Sequence, residues 1–236
     1  MADLDGDGKN DLIAGSYSGR VYWARGLGDA KQLAFAAPEP VTDLTGDDLI
    51  AGKFYDHDTS TWTSTETSGD ARAHSISAEA VDWEGDGDLD LVLGLSDGRV
   101  FLRRNKGSAT EPEFVVENEK IKWGRRSVFL KSGLATPIAR DWDGDGHFDL
   151  LAGARDGEVL WWRNLGRAGE PDFAPPQQLV PAAPEDEDPY RPSRRSQVDA
   201  VDWDGDGDMD LLLGDYRTIG KEWHGYLWLL RREQAR

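Results

Sequence analysis

The chain of 236 residues contains no cysteine. Disulfides, thiolate metal sites and cysteine nucleophiles are therefore excluded, and the redox compartment stays open. It also lacks any apolar run approaching the roughly 18 residues that a membrane helix needs, so a membrane-spanning protein is not expected. No secretory signal precedes the first motif, because Met1-Ala2 runs directly into an Asp cluster. Cations are scarce: 27 Lys and Arg face 45 Asp and Glu, for a net charge of -18. Such a chain has nothing to displace counterions from phosphates, which argues against a nucleic-acid partner. Glutamate is scarce too, with 14 Glu against 31 Asp, and Asp is the poorer helix former and the better turn and metal residue. With glycine counted and tyrosine left out, the apolar share is about 47%, ordinary for a folded domain. The expectation is one domain over 1–236.

What is present is a repeat. Aligned on their first Asp, four loops begin at Asp3, Asp82, Asp141 and Asp202, and the third reads Asp141-Trp-Asp-Gly-Asp-Gly-His-Phe-Asp149. A short aliphatic run follows each loop and ends in Gly15, Gly94, Gly153 or Gly214, always 12 residues after the first Asp. Phe35, Phe114 and Phe173 each fall 32 residues after theirs. The first interval is longer than the others, and the excess lies in a polar stretch at about 43–78. Within it, Asp43 to Gly52 reads either as part of an inserted hairpin, the preferred reading, or as a shrunken repeat that lost its acids. Residues 181–197 form a second irregular stretch, read as a solvated loop.

Runs such as Leu91-Val-Leu, Leu150-Leu-Ala and Leu211-Leu-Leu, bounded by Asp and Gly, suit short buried strands. Asp97-Gly98 and Asp156-Gly157 supply tight turns before Val100-Phe-Leu and Val159-Leu-Trp-Trp. That predicts about four strands per repeat and no helix. A unit of this size cannot bury both faces alone, so neighbours must stack. Blades around an axis meet that need with few exposed edges, giving an all-β β-propeller.

Positions 1, 3, 5 and 9 of each loop are carboxylates, and position 7 offers a backbone carbonyl. This hard-oxygen set suits calcium. The candidate ligands are Asp3, Asp5, Asp7, Lys9 and Asp11; Asp82, Glu84, Asp86, Asp88 and Asp90; Asp141, Asp143, Asp145, His147 and Asp149; and Asp202, Asp204, Asp206, Asp208 and Asp210. Glycines at positions 4 and 6 are expected to leave room for a tight fold where a Cβ would obstruct. Four ions would move the net charge from -18 to -10. An EF-hand is excluded, because its closing Glu is replaced by Ala14, Leu93, Ala152 and Leu213. Glu84 at position 3 lengthens one ligand by a methylene, and Asp3 lies two residues from the chain start, so those two sites are expected to differ from the rest.

The pattern Asp-x-Asp-Gly-Asp-Gly-x-x-Asp, followed by an aliphatic run and Gly, resembles the FG-GAP/VCBS repeat of integrin-like β-propellers. The resemblance implies a structural calcium in each loop, held by the residues above. It also implies a ring of six to eight blades, whereas four units are recognisable here. A compact four-bladed ring is the favoured expectation. A fifth blade from the insertion, or a partial ring closed by self-association, are the alternatives.

Trp83, Trp142 and Trp203 share position 2 of their loops, a regularity that suits packing between blades. Trp161, Trp162 and Trp228 lie in strands and are split between faces by alternation. Tyr17, Tyr55, Trp62, Trp123, Tyr190, Tyr216 and Trp223 lie in less regular stretches and are the candidate ligand surface, though each alone reads as an ordinary surface aromatic. The four histidines have no motif around them, and no catalytic signature appears, so an enzyme finds little support. The reading is a calcium-stabilised extracellular or cell-surface binding module. Lectin-like carbohydrate recognition comes first, an adhesion or protein-interaction propeller second and a polysaccharide-active enzyme third.

Overall fold

The computed structural model describes the chain apart from residues 30, 57, 65–73, 168, 184–191, 193, 220 and 234–236. Among the described residues every regular element is a strand. A first sheet joins β1 (Leu12–Gly15), β2 (Val21–Ala24) and β3 (Glu39–Pro40). A hairpin of β4 (Lys53–Asp56) and β5 (Thr61–Ser64) follows. The second sheet runs β6 (Ser75–Val81), β7 (Asp90–Leu95), β8 (Val100–Arg103) and β9 (Glu119–Lys120), with a small hairpin of β10 (Lys122–Trp123) and β11 (Arg126–Ser127) behind it. The third holds β12 (Thr136–Arg140), β13 (Asp149–Gly153), β14 (Val159–Trp162) and β15 (Gln177–Val180). The fourth holds β16 (Gln197–Val201), β17 (Asp210–Ile219) and β18 (Glu222–Leu230). Every pairing between these strands is antiparallel and between sequence neighbours.

The sheets stack in chain order through three apolar junctions. Leu4, Val21, Leu91, Leu93 and Phe114 fill the first. Trp83, Val92, Val100, Leu102, Leu150, Ala152, Trp162 and Phe173 fill the second. The third is built from Trp142, Leu151, Val159, Leu211 and Leu213. Strand alternation explains the division, because consecutive residues point to opposite faces and each face meets a different neighbour. Trp162 accordingly enters the second junction while Trp161 packs against the third. Residues 43–52 belong to this stacking as well. Val41, Leu49 and Ala51 enter the first junction much as Ile121, Val128 and Leu130 enter the second.

The shared position 2 does not give a shared fate. Trp83 and Trp142 are 5% and 6% exposed, but Trp203 is 61% exposed. Trp83 is covered by Phe148 and Phe173 of the following sheet, with ring centroids 5.2 and 5.9 Å away. Trp142 meets the fourth sheet, where Arg232 lies over its ring. Trp203 belongs to the fourth sheet, and among the described residues no further sheet packs over it. The expectation that all three are packed between sheets therefore fails at the third.

Candidate metal loops and the opposite aromatic rim

The four acidic loops occupy one end of the sheets. The second, third and fourth precede strands that open with their position 9 Asp, and in the first Asp11 stands just before β1. The strands leading into them lie side by side, since Arg140 at the end of β12 bonds both Glu79 on β6 and Asp199 on β16. Position 1 acts as the organiser. Asp141 accepts hydrogen bonds from the amides of Gly144, Asp145 and Gly146 at 2.9–3.0 Å, and Asp82 accepts the same three from Gly85, Asp86 and Gly87. The loop glycines are needed for their backbone angles. Gly144 and Gly146 have φ of 74° and 89°, while a Cβ at either would meet nothing within 4 Å. The left-handed conformation, rather than crowding, is what excludes other residues.

Position 9 is the buried staple. Asp11 accepts the Leu4 amide at 2.9 Å and the Gly26 amide at 2.7 Å. Asp90 accepts the Asn105 amide and Asp149 the Asn164 amide, both at 2.7 Å, and Asp210 takes the Arg232 amide at 2.8 Å. Each carboxylate thus ties its loop to the far end of a neighbouring strand. At position 7, the amides of Lys9, Asp88, His147 and Asp208 donate to the position 5 carboxylate.

The carboxylates converge. Oxygen atoms of Asp3, Asp5 and Asp11, of Asp141, Asp143 and Asp145, and of Asp202, Asp204 and Asp206 lie within 4.8 Å of one another in each group. That spread matches oxygens placed about 2.3–2.6 Å from one calcium ion. Buried oxygens without a donor, Asp143 Oδ1 and Asp208 Oδ1 among them, point the same way. Crowding also shows in the proton affinities. Burial, with Asp86 adding to it, pushes the Asp88 carboxyl up. Burial, with Glu84 nearby, takes Asp90 to about 7. A divalent cation would reverse both effects. The donor set therefore fits calcium in the first, third and fourth loops. In the second, no such group of three converges among the described residues, and Glu84 is held by two cations, Arg104 Nη1 at 2.5 Å and Lys106 Nζ at 3.0 Å.

That pairing reveals residues the motif reading missed. Arg25, Arg104 and Arg163 each fall 22 positions after the first Asp of their loop and pair with its position 3 acid: Asp5 at 3.8 Å, Glu84 at 2.5 Å and Asp143 at 2.5 Å. In the fourth loop Arg231 reaches Asp204 at 3.0 Å. The constant interval was the available signal, but an Arg at a strand end reads as an ordinary exposed cation.

At the opposite end of the sheets several of the candidate aromatics gather. Trp62 lies 6.0 Å from Tyr17, 5.6 Å from Tyr55 and 4.8 Å from His74. Tyr17 is 75% exposed. His74 is a further member that sequence did not single out, and its ring stays below the usual histidine range through burial and then Lys53. Next to this cluster is a cavity of about 410 Å³, lined by Tyr17, Leu134, Thr136, Arg195, Gln197, Gly214, Asp215 and Tyr216. Arg195 lies over the Tyr216 ring at 4.8 Å, and Trp223 is 5.1 Å from the same ring. Trp123 stands apart, packed near the second junction under Arg126. Tyr190 lies outside the described residues.

Residues 141–213 match a protein-family model described as an FG-GAP-like repeat. That stretch is FG-GAP-like sequence. The matched stretch runs from the first Asp of the third loop through the fourth loop into β17, so it contains two acidic loops and the junction between two sheets. Outside that stretch, the loops at Asp3 and Asp82 repeat the acidic spacing of the two matched loops. No curated protein matches the chain. Among the described residues, no helix is long and apolar enough to cross a membrane.

Proposed function

We propose that the chain is an arc of β-propeller blades, stiffened by calcium in its acidic loops, that binds carbohydrate at the aromatic rim on the opposite end. The observation that carries this reading is the gathering of Tyr17, Tyr55, Trp62 and His74 beside a cavity whose far wall is Tyr216 under Arg195. Sugars present apolar C–H faces with hydroxyls around them. Exposed tyrosine and tryptophan rings offer flat amphipathic partners for the former. Arg195, Thr136 and Gln197 offer polar groups for the latter, the usual composition of a small-ligand site. Calcium has a structural part in this proposal, since the acidic loops lie at the other end. Placement outside the cell follows from the same metal, because sites of about 10⁻⁴–10⁻³ M affinity fill there and empty in the cytosol.

A glycan array in calcium, with a chelated control, is the test. Binding to a defined sugar is expected, with Trp62→Ala and Tyr17→Ala each weakening it about tenfold, as loss of one stacked ring of roughly 1.4 kcal/mol would. A blank array from folded protein overturns the carbohydrate reading. The FG-GAP-like match would then direct the search to protein partners in an adhesion-type role.

A further inference from the structure

The second acidic loop departs from the other three at two positions that meet in space. Its position 3 is Glu84, where the others have Asp5, Asp143 and Asp204. Lys106 stands 24 residues after its first Asp, where the first and third units have Leu27 and Leu165 and the fourth has Tyr226. These departures are partners. Lys106 Nζ lies 3.0 Å from Glu84 Oε1, and Arg104 Nη1 lies 2.5 Å from the same oxygen. The extra methylene carries the carboxylate of Glu84 out to an ammonium that the matching leucines do not offer.

An arginine at position 3 does not by itself prevent a metal site. Arg163 pairs with Asp143 in the third loop, and Asp141, Asp143 and Asp145 still converge there. The first loop has a lysine, Lys9, but it pairs with Asp7, which stands outside the converging group of Asp3, Asp5 and Asp11. Among the described residues, the second loop alone has two cations on one oxygen of its position 3 acid, and there no three carboxylates converge. A calcium ion seated on Glu84 would come within a few ångströms of both cations, and like charges at that range repel. The two side chains already neutralise and fix this carboxylate, the work that a divalent ion does where the acids converge. The backbone is fixed as well. Asp82 gathers the amides of Gly85, Asp86 and Gly87, and Gly169 of the next unit closes over the loop, since a Cβ there would lie 2.3 Å from the Glu84 carbonyl oxygen.

We infer that the second loop is closed by Arg104 and Lys106 in place of calcium, so that metal governs the first, third and fourth loops and leaves this one unchanged. Trp83, at position 2 of the loop and 5% exposed, is then set into the second junction without metal. The inference rests on the calcium reading of the other three loops. It also implies that the missing site can be restored. Glu84 Oε2 and Asp88 Oδ1 are buried without a hydrogen-bond partner, so oxygen donors remain once the two departures are undone.

A calcium titration of the full chain followed by amide NMR tests it, read at Gly85, Asp86 and Gly87 against Gly144, Asp145 and Gly146. In wild type the third-loop amides are expected to shift, and those of the second loop to stay in place until calcium is about a hundredfold higher. In Glu84→Asp combined with Lys106→Leu, both sets are expected to shift together. Each replacement is the residue that other units carry at that position, and an unchanged third-loop response confirms the fold. Second-loop amides that move in step with the third in wild type overturn the inference and leave the calcium reading standing. A double variant whose third loop responds while its second stays silent overturns it too, because Lys106 and Glu84 would then not be what keeps the ion out. A titration in which neither set moves refutes calcium in the third loop, and the contrast between the loops falls with it.

Discussion

At the scale of the residue, the same amino acid at the same repeat position serves different ends. Gly146 is required for its left-handed φ of 89°, with nothing within 4 Å of the place a Cβ would take. Gly146→Ala is expected to cost about 1–2 kcal/mol of backbone strain and nothing in packing. Gly153 has no such backbone angle, but a Cβ there would sit 2.2 Å from the Ser196 carbonyl oxygen. Gly153→Ala must therefore force the third and fourth sheets apart, at about 3 kcal/mol or more. Gly214, at the matching position of the last sheet, has only the Gln197 Cβ at 4.0 Å. Gly214→Ala is expected to fall within about 0.5 kcal/mol of wild type, or slightly above it through reduced freedom of the unfolded chain. Urea unfolding of the three variants should give that order, with Gly153→Ala least stable. Equal losses at 153 and 214 would contradict the stacking order itself.

At the scale of the element, the loops and the strands behind them were legible because each motif residue has a local duty. Asp141 gathers the amides of its own loop, the two glycines supply left-handed turns, and Asp149 ties the loop to β14's far end through Asn164. Most of these constraints fall within nine residues and leave their mark there, and the position 9 Asp reaches a backbone amide, which any residue supplies. What sequence could not show is which neighbour a face meets. Trp203 repeats Trp83 and Trp142 in spelling, and its exposure depends on a sheet that repetition alone cannot supply. The Arg partners of position 3 were hidden for a related reason, since their interval is long and their strand position looks solvated. Arg103 is the extreme case. It occupies the β8 position that Trp162 holds in β14, and is fully buried. It donates to the Ile50 carbonyl at 2.7 Å, the Val115 carbonyl at 3.0 Å and Asn118 Oδ1 at 2.8 Å. Burial lowers its pKa to about 10, which still leaves it charged at neutral pH. Arg103→Met keeps much of the apolar volume but strands three acceptors, and is expected to cost about 3 kcal/mol, read as a lower urea midpoint. Stability equal to wild type would mean that the cation is only filling space.

At the scale of the whole molecule, charge and packing meet in the loops. The residue at position 2, Leu4, Trp83 or Trp142, lies in the core between two sheets, while its neighbours at positions 1, 3 and 5 are the carboxylates that converge. Loop order and junction order are therefore one process, and repulsion among acids in a chain of net charge -18 acts directly against it. In a stack where each sheet contacts only its neighbours, stability is close to a sum of unit and junction contributions. A loosened loop should then weaken one junction rather than the whole chain. Calcium bound only by the folded loops would stabilise by about 2.7 kcal/mol per site at a hundredfold excess over its dissociation constant. Chelation is accordingly expected to lower the melting temperature and to broaden the transition, as junctions begin to open separately. Amide exchange should report where, with faster exchange at β13 and β17 than in the calcium-loaded protein. Asp143→Asn, at a carboxylate whose Oδ1 is buried without a donor, should remove most of the calcium response at β13 while leaving that at β17. An apo protein that melts no lower than the loaded one would refute the metal's structural part. A response lost everywhere in Asp143→Asn would instead refute the independence of the loops.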